Sequence, residues 1–187
     1  MQEKKLFFIL LGCKPEGRHT EQHDVFISVG HSLADLIPDM ETFWPASGKM
    51  HIDSWRAVTK VNEYTIKIIP RTASSSINPN KLFFLNLGGY KPGDPEEHHY
   101  KLLYVASDKS TAIAAAKKTS FFLHTGFEGA NAHIDDKYGV DIDDIYEIEE
   151  ILPEHIKSAY SIEISLAKNE MEEDPLHIGY LKLSSIK

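Results

Sequence analysis

The chain has 187 residues, 42% hydrophobic and 26% charged, with 28 acidic side chains against 20 Lys and Arg and a formal net charge of −8. That composition excludes collagen-like, mucin-like and disordered chains and leaves enough apolar residues for one large or two small cores. The acidic surplus argues against a nucleic-acid partner. No apolar run approaches the roughly 18 residues of a membrane-spanning helix, so no membrane partner is expected.

In chain order, the first element is the apolar run Leu6–Leu11, bounded by Lys5 and Gly12 and suited to a strand buried on both faces. Leu10-Leu-Gly-Cys13 also has the look of a lipobox, which would make the chain a lipoprotein anchored at Cys13. The competing and preferred reading is a cytoplasmic protein with one unpaired thiol, because Lys81-Leu-Phe-Phe-Leu-Asn-Leu-Gly88 repeats the same run where no export signal could act. A Gly/Pro turn at 12–17 leads to a second strand at Asp24–Val29. Ser32 is an N-cap candidate for a helix whose apolar stripe is Leu33, Leu36, Ile37, Met40, Phe43 and Trp44, with a kink or a late start at Pro38. Extended stretches follow at His51-Ile-Asp53 and Tyr64–Ile69, and Arg71–Asn80 reads as a linker.

The chain is then written again. Residues 5–29 match 81–105 at ten of 25 positions, with an offset of 76. Farther on the offset becomes 82: His51-Ile52-Asp53 recurs as His133-Ile134-Asp135, Val58 as Val140, Tyr64 as Tyr146 and Ile69 as Ile151. Asp108 caps the second helix, which runs through Ala112, Ile113, Ala115 and Ala116. The pattern predicts an α+β fold, a tandem duplication of a β-β-α-β unit with largely antiparallel sheet. Its repeats span 5–70 and 81–153. Residues 154–187 are expected to form a C-terminal β-hairpin from Ser161–Leu166 and Leu176–Leu183, packing on the repeats.

The Leu-Phe-Phe-x-x-Leu-Gly start, the Lys-Pro loop, Glu-x-His and the later His-Ile-Asp resemble a mainly bacterial domain-of-unknown-function family, number 1543, over residues 5 to about 153. The resemblance implies the repeated unit and brings no activity, cofactor or catalytic residue with it.

Chemistry-bearing residues recur at duplicated positions. Glu21 and His23, and Glu97 and His99, are two residues apart and share a strand face, as do His51 and Asp53, and His133 and Asp135. His23 has the parity of Val25, Ile27 and Val29, the face expected to meet the core, which places it at that core's rim. These eight residues are the candidate catalytic set, and His23, His51, His99 and His133 the candidate metal ligands, for Zn²⁺, Fe²⁺ or Mn²⁺. The alternatives are metal-free acid–base chemistry and a purely structural network tying loops together. The spacing carries no specific metal signature.

The Gly/Pro loops lack a phosphate-binding pattern and read as turns. The acidic run 135–150 reads as a solvated strand edge because it misses the calcium-loop spacing. Trp55, aligned with Lys137, is a core or ligand-stacking candidate. The leading functional expectation is a non-enzymatic ligand-binding or interaction module with a small molecule, another protein or a second copy as partner. The competing one is a small metal-dependent or acid–base enzyme built on Glu-x-His and His-x-Asp.

Overall fold

In a computed structural model, residues 3–45, 48–72, 79–90, 93–118, 140–169 and 172–186 are described. The chain is α+β, with short helices, and every strand pairing among the described residues is antiparallel. It divides into two units, residues 1–76 with 151–187 and residues 77–150.

In the first unit β1 (Lys5–Cys13) is the central strand, paired with β2 (Gln22–Gly30) on one side and β3 (His51–Val58) on the other. Phe7, Ile9 and Leu11 turn to one face, where they pack with Phe26, Leu36, Met40 and Ile52. Leu6 points the other way and is equally buried, as expected of a strand that is apolar on both faces. Helix α1 (Ile37–Phe43) supplies Met40 to the core.

Ser32 does not cap this helix. A 3-10 turn at Ala34–Leu36 comes first, and α1 starts late, with Pro38 in its first turn where no amide hydrogen is needed. Asp35 steadies the approach: its carboxylate accepts the His31 amide at 2.8 Å, and that bond holds its carboxyl below the usual range. A second sheet begins with β4 (Lys60–Val61) and β5 (Tyr64–Pro70), joined by a tight turn with Asn62 at φ 53°.

In the second unit β6 (Lys81–Tyr90) lies between β7 (Glu97–Ala106) and β8 (Val140–Glu147), the same order as β2-β1-β3. Helix α2 (Lys109–Ala116) begins as the sequence indicates: Asp108 accepts the Thr111 amide at 2.8 Å. Its Ala112 and Ala116 close onto Phe83, Leu85 and Leu87, small residues that let helix and sheet approach closely. Tyr146 ends up within β8, and the following residues coil into α3 (Ile148–Ile151), so the stretch 146–151 is not a counterpart of β5.

The chain then returns to the first unit through α4 (Glu154–Ala159), β9 (Tyr160–Leu166) and β10 (His177–Lys182). The last two strands do not form a hairpin with each other. β9 pairs with β5 and β10 with β3, each completing an edge that would otherwise present unpaired amides and carbonyls. Asp174, from the acidic stretch between them, accepts the Thr59 and Lys60 amides at 2.8 and 3.0 Å and fixes the crossover. The boundary between units therefore falls near residue 150, and residues 151–187 belong to the first unit rather than forming a separate appendage.

Candidate metal centre

The candidate centre follows from strand register. Gly12 on β1 stands opposite His23 on β2 and His51 on β3. Directly opposed residues in antiparallel strands present side chains to one face, so the two imidazoles flank a position that has no side chain. Asp53 lies two residues beyond His51 and Glu21 two before His23, which brings both carboxylates to the same face. This face lies opposite to the α1-covered core. Phe26 is turned toward α1, while Ile27 and Val29, which have the parity of His23, are buried on the other face, so His23 stands at the rim of that apolar surface.

The four side chains close into a ring of alternating carboxylate and imidazole. His51 Nε2 is 3.0 Å from Glu21 Oε1 and 3.2 Å from Asp53 Oδ1, while His23 Nε2 is 3.0 Å from Asp53 Oδ2 and 4.0 Å from Glu21 Oε2. Each carboxylate thus offers one oxygen to each ring. The contacts are short but not aligned as hydrogen bonds: both ring nitrogens of His51 and Oδ2 of Asp53 are buried without a hydrogen-bond partner. Leaving such atoms unsatisfied is costly, yet His51 is only 3% exposed and its ring is covered by that of Tyr180, with centroids 4.2 Å apart.

Donors around a cation approach one another side by side instead of head to head. Metal–ligand bonds of about 2.0–2.2 Å give edges of roughly 3.0 Å in an octahedron and 3.3–3.5 Å in a tetrahedron. Three of the four contacts fall at those lengths. Gly12 keeps the middle open: a Cβ there would lie 2.5 Å from His51 Nε2 and 2.8 Å from Asp53 Oδ2. Cys13 faces the other way, fully buried, and burial followed by the nearby negative charge of Glu21 pushes its thiol pKa up, away from a reactive thiolate.

The second unit repeats this plan with a change of residue. Gly88 stands opposite His99 on β7 and Asp141 on β8. His99 Nε2 is 3.1 Å from Asp143 Oδ2 and 3.9 Å from Glu97 Oε2, and donor atoms from Glu97, His99 and Asp143 all lie within 4.8 Å of one another. A Cβ on Gly88 would meet Asp143 Oδ2 at 2.5 Å and Glu97 Oε1 at 2.8 Å.

The register also corrects the sequence alignment. Leu11 opposes Ile52 and Gly12 opposes His51, while Leu87 opposes Ile142 and Gly88 opposes Asp141. The position of His51 is therefore taken by Asp141 and that of Asp53 by Asp143, an offset of 90 rather than 82. His133 and Asp135 lie outside the described residues. Trp55 corresponds by the same register to Ile145, not Lys137. It is half-buried, stacked on His177 with ring centroids 4.0 Å apart. His98 turns to Asp94 at 2.7 Å and takes no part in the trio. Asp143 escaped the sequence reading. The signal was the second Ile-Asp pair, Ile142-Asp143, set in the strand-like alternation of 140–147.

Residues 18–68, a stretch that holds all four donors of the first site, match the model of a Domain of Unknown Function (DUF1543). No curated protein sequence matches the chain. The crystal structure of a protein Il1583 from Idiomarina loihiensis is similar in fold, with a TM-score of 0.60 and 17% identity, covering 97% of this chain and 98% of that chain. Among the described residues, no helix is long and apolar enough to cross a membrane.

Proposed function

We propose that the protein is a divalent-metal-binding module whose principal site is Glu21, His23, His51 and Asp53, with Glu97, His99 and Asp143 as a second, more oxygen-rich one. The observation that carries this reading is His51, buried with both ring nitrogens unpartnered and Nε2 held about 3 Å from two carboxylates. A cation held at His51 Nε2 by the facing carboxylate oxygens accounts for the burial of that nitrogen, the misaligned contacts and the missing side chain at Gly12 together. Two imidazoles and two carboxylates suit Zn²⁺, Fe²⁺ or Mn²⁺, while the second set leans toward harder ions.

The two sites are descendants of one ancestral β-β-α-β unit. The shared strand order supports this, as do the register shifts at Leu10/Leu11 and Asn86/Leu87 and the positive-φ turn glycines Gly17 and Gly93. Residence in the cytoplasm is part of the proposal. The buried thiol supports it, and cleavage ahead of Cys13 would delete nearly all of the central strand β1. A metal-dependent enzyme is the second reading. It is favoured by the 43% exposure of His23, which opens one side of the centre so that a six-coordinate ion keeps positions for water or substrate.

Elemental analysis of tag-free protein, with calorimetric titration of Zn²⁺ and Mn²⁺ into the chelator-stripped form, tests the reading. At least one equivalent of tightly bound ion is expected, lost in H23A/H51A. Less than about a tenth of an equivalent, with no heat on titration, overturns it.

A further inference from the structure

Beside the metal centre, on the first unit, lies a cleft of about 630 Å³ lined by Trp44, Met50, Tyr180, Lys182, Leu183 and Lys49 among others. Its volume is that of a small-molecule site. Its walls combine flat apolar surface, from Trp44, Met50, Leu183 and Tyr180, with two exposed ammonium groups. Neither Lys49 nor Lys182 has a carboxylate within 4.0 Å among the described residues, and Glu41 is the one acid in the lining. A net positive cleft in a chain of net charge −8 selects for anions.

The cleft and the candidate centre share a wall. Lys182 stands opposite His51 in the sheet, so Lys182, His51, Gly12 and His23 form one row across four strands. Tyr180 lines the cleft with one part of its ring environment and covers the His51 ring with another. Met50, also in the lining, immediately precedes His51.

We propose that this cleft binds a small organic anion, a carboxylate or phosphate ester on a planar apolar body, and that it serves the metal centre through the Tyr180–His51 contact. The apolar body lies against Trp44 and Tyr180, and the anionic group reaches Lys49 and Lys182. The link to the metal centre rests on the metal-binding reading; the anion site does not.

The probes are 2-naphthoate and its neutral counterpart 2-naphthalenemethanol, titrated calorimetrically into metal-free full-length protein. For a ligand of this size a Kd of about 0.1–1 mM is expected for naphthoate. Binding should be at least about tenfold weaker for the alcohol and for K49Q/K182Q, since each removes the charge pairing. Equal binding of acid and alcohol, or undiminished binding to K49Q/K182Q, overturns the anion site. Zn²⁺ titrations with and without saturating naphthoate test the link, with a change of at least about threefold in Zn²⁺ affinity expected in the wild type and abolished in Y180A. Zn²⁺ binding that ignores naphthoate overturns the link alone. Absence of Zn²⁺ binding overturns the metal reading and the link with it, while the naphthoate arm on metal-free protein still decides the anion site.

Discussion

Replacing Gly12 by Ala is the sharpest perturbation of the proposed centre, because it adds one methyl group where the geometry requires none. The new Cβ would sit 2.5 Å from His51 Nε2, 2.8 Å from Asp53 Oδ2 and 3.0 Å from His51 Cε1. Reaching even 3.0 Å from Nε2 means a retreat of about 0.5 Å, while metal–ligand bonds tolerate only about 0.2 Å. His51 has little space for that retreat, being 3% exposed beneath Tyr180. Two of four donors are therefore displaced together.

Changes one shell out from a metal typically cost 10–100-fold in affinity, so this substitution should cost at least about 100-fold, or about 2.7 kcal/mol. Calorimetric Zn²⁺ titration of G12A against wild type reads the effect, with far-UV circular dichroism and metal-free urea midpoints as checks on folding. G88A provides the contrast. Its Cβ meets Asp143 and Glu97, which are 30% and 33% exposed and have room to swing aside, so a loss of only about threefold at the second site is expected. A folded G12A that binds Zn²⁺ within threefold of wild type would show that the four side chains do not surround an ion, and would refute the reasoning.

Stripping the ion with a chelator should lower stability by about 2.7 kcal/mol relative to protein held at 100 times its Kd, a fall in Tm of about 5–10 °C by calorimetry. Leu85→Ala, at a fully buried position on β6, should cost about 2–5 kcal/mol in urea titrations, whereas Leu166→Ala, 65% exposed, should stay within about 0.5 kcal/mol. Asp108 gives an acid limb. The Thr111 amide, then the Ser107 and Thr111 hydroxyls, hold its folded-state pKa below the unfolded value, so its contribution is present above about pH 4 and lost as pH falls through the folded value. Asp108→Asn should therefore narrow the difference between urea midpoints measured at pH 6 and pH 2.5.

The parts of the fold legible in the sequence were those specified by local pattern. Leu-Phe-Phe bounded by glycine marked β1 and β6, Asp108 marked the start of α2, and two-residue spacing placed Glu21 with His23 and His51 with Asp53. The misplaced parts depend on distant partners. Ser161–Leu166 alternates like a strand, but nothing in that alternation says its neighbour is β5, about 100 residues earlier, instead of β10. In the second unit, the repeated letters pointed to His133-Ile-Asp135, whereas pairing with β6 selected Asp141-Ile-Asp143. The burial of His51 under Tyr180 joins residues more than 120 apart and has no local signature.

The split of the first unit around residues 77–150 has a consequence for how the molecule is made. At about 5–20 residues per second, roughly 4–15 s separate synthesis of Ser76 from that of Ile151. Throughout that interval β3 and β5 wait without β10 and β9, the strands that later pair with them. Lys67, on β5 opposite the later Glu163, sets a charge on the waiting edge that discourages a wrong neighbour before β9 arrives.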